Sequence, residues 1–387
     1  MQAESLVIEA KSVFTPFQEI TDAVVEVKGK QISWVGAASE YQKKPRGRIE
    51  AHKVAPGFID MQVNGAGGID AAAEEEDGLN RISCILARFG VTAFLPTVIT
   101  APESDLIRSL RSVSRSLEKP VEGAAPLGIH LEGPFINPTK RGAHPLNAIK
   151  IPKLTLFRKF EEAANGRIVY LTLAPELPGS LKLANSAQDR LPIISMGHSD
   201  ATYDQALEGL RNGFNYATHT FNAMHDFHHR EPGLVGLILK ESSLRASIIA
   251  DGTHVHPSMV EIFLRAKGPT RAVLTTDSIS AAGMPDGEHR LGTLTVFVKD
   301  GICRNPEGRL AGSSLTMDAA VRNCVEWTGM PWTEILPMAA YNSAAALGIG
   351  SRKGKIAKGA DADLVLLDEK WEVERTIVAG RIVYERS

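Results

Sequence analysis

The stretch "LPIISMGHSDATYDQALEGLRNGFNYATHTFNA", residues 191–223, contains one full repeat of the pattern that decides the fold. An apolar run gives way to a polar, Gly-bearing loop, a segment with helical spacing follows, and a second apolar run closes the unit. Each run ends in a histidine, His198 and His219. Apolar runs that alternate with helices build a parallel sheet, because a parallel neighbour is reached only through a crossover connection.

The rhythm extends in both directions, from about residue 54 to 276. Before the quoted stretch come "KVAPGFID", "VTAFLPTVI", "PLGIHLEG" and "RIVYLTLAP"; after it come "RASIIADG" and "RAVLTTDS". With the two runs of the quoted stretch that makes eight. Between them, Leu79, Ile82, Leu86 and Phe89 fall on one helical face, as do Leu106, Leu110, Val113 and Leu117. Eight such units predict an α/β fold, a (β/α)8 TIM-like barrel, with a doubly wound open sheet as the alternative that pattern alone leaves open.

Polar residues mark the predicted carboxyl ends of these runs: Asp60 and Gln62, Glu132, His198, His219, Asp251 with His254, and Asp277. That end of a barrel is where active sites are built.

The chain ends read differently. Residues 5 to 50 alternate like strands, with a hairpin in "AVVEVKGKQISWVG" turning at Gly29-Lys30. Residues 355 to 386 do likewise and turn near Gly380. Neither tail has crossover helices, so both are expected in one small β-sandwich: 1–53 and 350–387 as its two parts, 54–349 as the catalytic barrel. Residues 283 to 312 read as a turn-rich, strand-like excursion after run eight, with helices following around 315 to 328 and 332 to 347.

Composition narrows the partner. Lys plus Arg total 43 against 45 Asp plus Glu, a net charge of −2, which gives no basic footprint for nucleic acid or an anionic membrane. A small molecule is the expected ligand. Cys84, Cys303 and Cys324 lie far apart without a C-x-x-C, so no disulfide framework is expected and a reducing cytosol fits. "MQAESLVIEAKSVF" has no basic segment leading into a long apolar one, and no 18-residue apolar run occurs. The expectation is a soluble cytoplasmic protein.

The chemistry is read from company rather than from single residues. A lone strand-end Glu is usually a cap or salt-bridge partner, and a lone strand-end His is usually structural. Glu132, His198 and His219 converge from strands three, five and six, and His2Glu is a catalytic zinc set that leaves a coordination position open. Asp277, at the end of strand eight, is placed to take a proton from an attacking water and to return it to a leaving amine. His256, before Pro257, reads as a helix-terminal residue, and His254 is the better site candidate. His225, His228 and His229 are expected to be solvated, whereas Arg230 on a mouth loop suits an oxyanion such as phosphate. "GAGGID", residues 65–70, matches no phosphate-binding glycine fingerprint and reads as a turn, and no G-x-S-x-G elbow supports a serine hydrolase.

Taken together, "PGFIDMQVNGAGG", "HLEGPFINPTKRGAH", "GHSDAT", "THTFNAMHDFHHREPGLVG", "ADGTHVHP", "TTDSISAAG" and "GRLAGSSLTM" resemble, in order and spacing, the N-acetylglucosamine-6-phosphate deacetylases of the amidohydrolase superfamily. The resemblance implies a barrel flanked by a β-sandwich, homodimeric, hydrolysing the acetamide of N-acetylglucosamine 6-phosphate. It implies metal ligation by Glu132, His198 and His219, with Asp277 as base and then acid. His144 is then expected to polarise the acetyl carbonyl. Ala143, His144, Asn222, Ala223, Arg230, Asp251, Gly252, Thr253, His254, Leu310, Ala311 and Gly312 match substrate-binding positions, with Arg230 and His254 expected at the phosphate.

Many amidohydrolases carry His-x-His where this chain has Gln62 and Asn64. Amides are poor zinc ligands beside imidazoles, so one divalent ion per subunit is expected, zinc first, with iron or another transition metal as the alternative. Rival readings are a deacetylase for the galactosamine epimer, another amide hydrolase of the same fold, and a barrel scaffold without chemistry.

Overall fold

The computed structural model describes residues 5–43, 48–75 and 77–386. Residues 1–4 of the N-terminal stretch and 44–47 of the first strand-rich tract therefore lie outside the described residues. All eight apolar runs are strands: Phe58–Val63, Val91–Ile99, Ile129–Glu132, Ile168–Leu173, Ile193–Met196, Tyr216–Ala217, Arg245–Ile248 and Ala272–Leu274, here called barrel strands one to eight. They pair in sequence order, every pairing parallel. A parallel bridge from Val63 to Ser278 joins the last strand's end to the first and closes the barrel, which removes the open-sheet alternative.

The periodic segments form the outer helices. Helix Gly78–Ala87 buries Leu79, Ile82 and Leu86, and helix Glu103–Ser116 buries Leu106, Leu110 and Val113. Phe89 lies past the end of its helix. The barrel's amino end is filled by Ile59, Ala93, Tyr170, Ile193, Tyr216 and Val273, packed with Ala344 and Leu347 from the C-terminal helical region. The segment read as one helix over 332 to 347 is two, Trp332–Ala339 and Tyr341–Ala346, because Ala340 leaves helical geometry at φ −135° and ψ −76°.

Both chain ends share one seven-stranded sheet. Its N-terminal strands are Ser5–Thr15, Gln18–Lys28, Gln31–Ala37 and Ile49–Pro56, the last running on past position 53 to pair with Leu364–Leu367. Val373–Val378 and Arg381–Glu385 complete it. The turns fall at Gly29-Lys30 and Ala379-Gly380, between the strands named. The sheet folds over its own core, since Gln31 bridges Asp361 and the amide of Ala362 donates to the Lys30 carbonyl at 2.8 Å. Ile8, Val25, Leu364 and Ile377 belong to that core. The excursion after strand eight is a three-stranded antiparallel flap, Gly287–Leu291, Leu294–Lys299 and Ile302–Arg304. None of the described helices is long and apolar enough to cross a membrane.

Candidate functional site

Above the apolar plug the barrel interior turns polar. His130 of strand three stacks on Tyr170 with ring centroids 3.8 Å apart, and its Nε2 lies 2.8 Å from Thr172 Oγ1. Thr172 in turn meets Thr218 Oγ1 at 2.8 Å, and Ser195 meets the same oxygen at 2.6 Å. Burial pushes the His130 imidazole down to about 3, so this layer is neutral.

At the mouth, Glu132, His198 and His219 meet. Their ligand atoms all lie within 4.8 Å of one another, and all three residues are buried. Glu132 Oε1 lies 3.3 Å from His198 Nε2 and 3.0 Å from His219 Nε2, and the two nitrogens are 3.2 Å apart. His198 Nδ1 faces the Lys140 carbonyl oxygen at 2.9 Å, and a carbonyl only accepts. With a metal bound, that bond would keep the ring's proton on Nδ1 and leave the Nε2 lone pair for the ion. Burial would raise Glu132, but hydrogen bonds from His198 and His219 and their charge hold it well below the ordinary carboxylate range. Burial would likewise lower His219, yet the Glu132 carboxylate outweighs it and raises the imidazole. One carboxylate and two imidazoles around one buried point are a donor set that fits a divalent metal.

Asp277 faces the same cavity from the end of strand eight. Burial first, and then the charge of Glu132, push its carboxyl up to about 7. His198, His219 and Asp277 all have left-handed backbones, at φ 48°, 33° and 50°. Each such residue costs roughly 1–3 kcal/mol and persists only where its neighbours over-determine it. Here the pins are visible: the His198 carbonyl accepts from Asn137 N at 2.9 Å, His219 N donates to Ser247 Oγ at 2.9 Å, and the Asp277 carbonyl accepts from Ser313 N at 2.9 Å. Gly312 makes the last of these feasible, because a Cβ there would meet Ile279 Cγ2 at 2.4 Å and the Asp277 carbonyl oxygen at 2.9 Å.

Strand one has a register irregularity between Asp60 and Val63, and the two amides at its end, Gln62 inside it and Asn64 just past it, each reach a carboxylate of the site. Gln62 Nε2 donates to Glu132 Oε1 at 3.0 Å, and Asn64 Nδ2 donates to Asp277 Oδ1 at 2.7 Å. Their carbonyl oxygens, Gln62 Oε1 and Asn64 Oδ1, are buried and have no protein hydrogen-bond partner among the described residues. Asp60 is not at the mouth. It is fully buried inside strand one, accepting from Thr275 Oγ1 at 3.1 Å and Thr276 Oγ1 at 2.5 Å, which fastens the first strand to the end of the eighth.

A cavity of about 340 Å³ covers this cluster. Ala143, His144, Asn222, Ala223, His254, Leu310 and Gly312 line it beside Glu132, His198, His219 and Asp277. His144 has Nδ1 at 2.8 Å from Thr100 Oγ1 and Nε2 at 3.9 Å from Glu132 Oε2, and burial pushes it down to about 3. Asp251 serves the cavity indirectly, accepting from His254 Nδ1 at 2.6 Å, from His254 N at 2.7 Å and from Thr253 N at 2.8 Å. Asp251, Gly252, Thr253 and Ala311 do not line the cavity themselves: Gly252 and Thr253 are exposed on the loop before His254, and Ala311 is buried between the lining residues Leu310 and Gly312. Arg230 is exposed and outside this cavity, its Nη1 3.1 Å from His229 Nε2. His228 and His229 are exposed as expected, but His225 is half-buried and paired with Asp200 at 2.9 Å. His256 caps helix Pro257–Lys267.

Sequence reading missed Ile99, Ile249, Leu291 and Arg309 among the lining residues. Leu291 and Arg309 come from the flap and the loop after it, where no local pattern announces a cavity.

Comparison with known proteins agrees with this geometry. The sequence model of the Amidohydrolase family matches residues 54–383. A curated N-acetylglucosamine-6-phosphate deacetylase of Bacillus subtilis is 36% identical over 389 residues, covering 99% of this chain and 98% of its own. An N-acetylgalactosamine-6-phosphate deacetylase of Escherichia coli O157:H7 is 34% identical, covering 86% of this chain and 88% of its own. Among solved structures, an N-acetyl-D-glucosamine-6-phosphate deacetylase variant from Mycobacterium smegmatis, in complex with N-acetyl-D-glucosamine-6-phosphate, superposes with a TM-score of 0.93 at 30% identity, covering 98% of this chain and 99% of that one. The chain belongs to the amidohydrolase family and, within it, to the group that contains the N-acetylglucosamine-6-phosphate deacetylases.

Proposed function

We propose that this protein hydrolyses the acetamide of N-acetyl-D-glucosamine 6-phosphate to D-glucosamine 6-phosphate and acetate. The observation that carries the reading is the meeting of Glu132, His198 and His219 with Asp277 in one small cavity. Glu132, His198 and His219 would hold one divalent ion, zinc by donor type, with iron or another transition metal as the alternative. Such an ion lowers the pKa of a water and polarises an acyl oxygen.

The chain's own residues do the rest. Asp277, with its carboxyl poised near neutrality, takes the proton from the attacking water and hands it to the departing amine. His144, neutral and held at Nδ1 by Thr100 Oγ1 2.8 Å away, presents its Nε2 to the cavity, and as the Nε2–H tautomer it polarises the acetyl oxygen. Ala143, Asn222, Ala223, the loop from Asp251 to His254 and the loop from Leu310 to Gly312 hold the sugar. His254, oriented by Asp251, meets the phosphate, and the exposed Arg230 reaches the cavity of a second copy in a homodimer. The setting is cytoplasmic, with residues 54–349 as the catalytic unit between terminal parts 1–53 and 350–387.

An acetate-release assay on protein stripped of metal and then reloaded tests this reading. Turnover should vanish and return, and should fall steeply when the phosphate is removed from the sugar. Indifference to stripping, or equal rates on N-acetylglucosamine without phosphate, would overturn it. The similarity to an N-acetylgalactosamine-6-phosphate deacetylase makes the galactosamine epimer the necessary second substrate in the panel.

A further inference from the structure

We propose that Gln62 and Asn64 are positioning residues that divide the site between them, Gln62 setting the cation affinity of Glu132 and Asn64 setting the working geometry of Asp277. The inference rests on the deacetylase reading for its kinetic arm alone.

Strand one ends by sending two buried amides to two different carboxylates. Gln62, 1% exposed, donates to Glu132 Oε1, the same oxygen that both imidazoles approach. Asn64, 3% exposed, donates to Asp277 Oδ1 at 2.7 Å. Among the described residues Asn64 is the one hydrogen-bond partner of the Asp277 carboxylate. A carboxylate held at one oxygen cannot rotate freely about its last bond, so Asn64 decides which oxygen is occupied and leaves Oδ2 as the one that can exchange a proton. Gln62 likewise fixes the orientation of Glu132 while giving it a neutral donor, which keeps the charge available to a cation.

The unpartnered carbonyl oxygens strengthen the argument. Neither amide oxygen has a protein partner among the described residues, while each amide's donor half is bonded to a carboxylate, at 3.0 Å for Gln62 and 2.7 Å for Asn64. An imidazole at either position could offer a lone pair to a metal, whereas a primary amide bonded in this way offers a proton to a neighbour. The pair therefore has a role of its own: it orients the carboxylates on either side of the His198 and His219 imidazoles.

Double-mutant analysis on the full-length, metal-loaded protein tests this. Asn64→Leu keeps the side-chain shape without the donor and should lower kcat by about 10–100-fold, the usual range for a group that orients a ligand or base, while KM and bound metal stay within twofold. In an Asp277→Asn background the same change should add almost nothing, because residues that act as a unit are not additive. Gln62→Leu should weaken metal affinity by about tenfold or more, read by chelator competition. Where Asn64→Leu loses its cooperative melt, Asn64→Ser carries the same comparison. A kcat for Asn64→Leu within twofold of the parent, a loss that adds fully to that of Asp277→Asn, or an unchanged metal affinity in Gln62→Leu would overturn the proposal. Absence of deacetylation by the unmodified protein would instead sink the functional reading, and the affinity arm would still decide the role of Gln62.

Discussion

The two halves of the barrel mouth use the same geometry for different chemistry. Strands three, five and six end in Glu132, His198 and His219, whose oxygen and nitrogen lone pairs crowd one point within 4.8 Å. Strands one and eight end in Gln62, Asn64 and Asp277, where the Asn64 N–H meets the Asp277 carboxylate and the Gln62 N–H reaches across to Glu132. The first half compensates its own charge: Glu132 is held low and His219 is held high. In the second half burial, and then the charge of Glu132, outweigh the Asn64 hydrogen bond and the other opposing influences, and the Asp277 carboxyl rises to about 7. Whether a strand-end residue offers a lone pair or a proton thus separates a half suited to cation binding from a half suited to proton transfer. Strain is common to both, since His198, His219 and Asp277 share left-handed backbones.

The largest expected effect comes from breaking the first half. His198→Ala or His219→Ala should release the metal and take acetate release to near background, with metal content and rate falling together. If a variant kept its rate after losing its metal, the division would be wrong at its root. Breaking the second half should look different. Asp277→Asn should keep the metal while kcat falls by about 10²–10⁴-fold, the usual contribution of a general acid–base group. Metal analysis beside steady-state kinetics separates the two outcomes, and loss of the metal from Asp277→Asn would merge the halves into one.

Much of this is legible in the sequence alone. Eight apolar runs separated by helical periods name the strands, because hydrophobic period is a local property that survives folding. Glu132, His198, His219 and Asp277 stood out because each ends an apolar run, and the barrel brings strand ends to one face whatever the loops do. Other features depend on contacts between segments far apart in sequence. Arg309 and Leu291 reach the cavity through the flap region, and Asp60 looked like a mouth residue until its bonds to Thr275 and Thr276 placed it inside the wall. Arg230 illustrates the same limit: a mouth-loop arginine in sequence, it is exposed and outside the cavity of its own chain. The partners of Gln62 and Asn64 lie 70 and 213 positions away in sequence, beyond the reach of any spacing rule.

A smaller effect tests how rigidly the second half is held. Gly312→Ala places a methyl 2.4 Å from Ile279 Cγ2 and 2.9 Å from the Asp277 carbonyl oxygen, on a backbone at φ +59°. The loop must move, and Asp277 moves with it. A displacement of the reacting group by a fraction of an ångström to an ångström should lower kcat by about 10–100-fold, with metal content unchanged. An unaltered kcat would mean that Asp277 owes its position to Asn64 alone.

The smallest effect concerns pH and couples the halves. As the proposed base, Asp277 acts only without its proton, so kcat/KM should fall as pH drops through its pKa. In the cation-free molecule that value is pushed up to about 7, by burial first and by the charge of Glu132 second. A divalent ion at Glu132, His198 and His219 reverses the sign of the local charge and favours the carboxylate, while burial is unaffected. The acid limb of the loaded enzyme should therefore have its midpoint below pH 7, and the residual activity of Asp277→Asn should lack that limb. Because His219 must give up its proton to ligate, metal affinity should also weaken on acidification, read by chelator competition across the same range. A midpoint at or above 7 in the loaded enzyme would mean that the charge of the first half does not reach the second, and that the two ends of the cavity titrate as strangers.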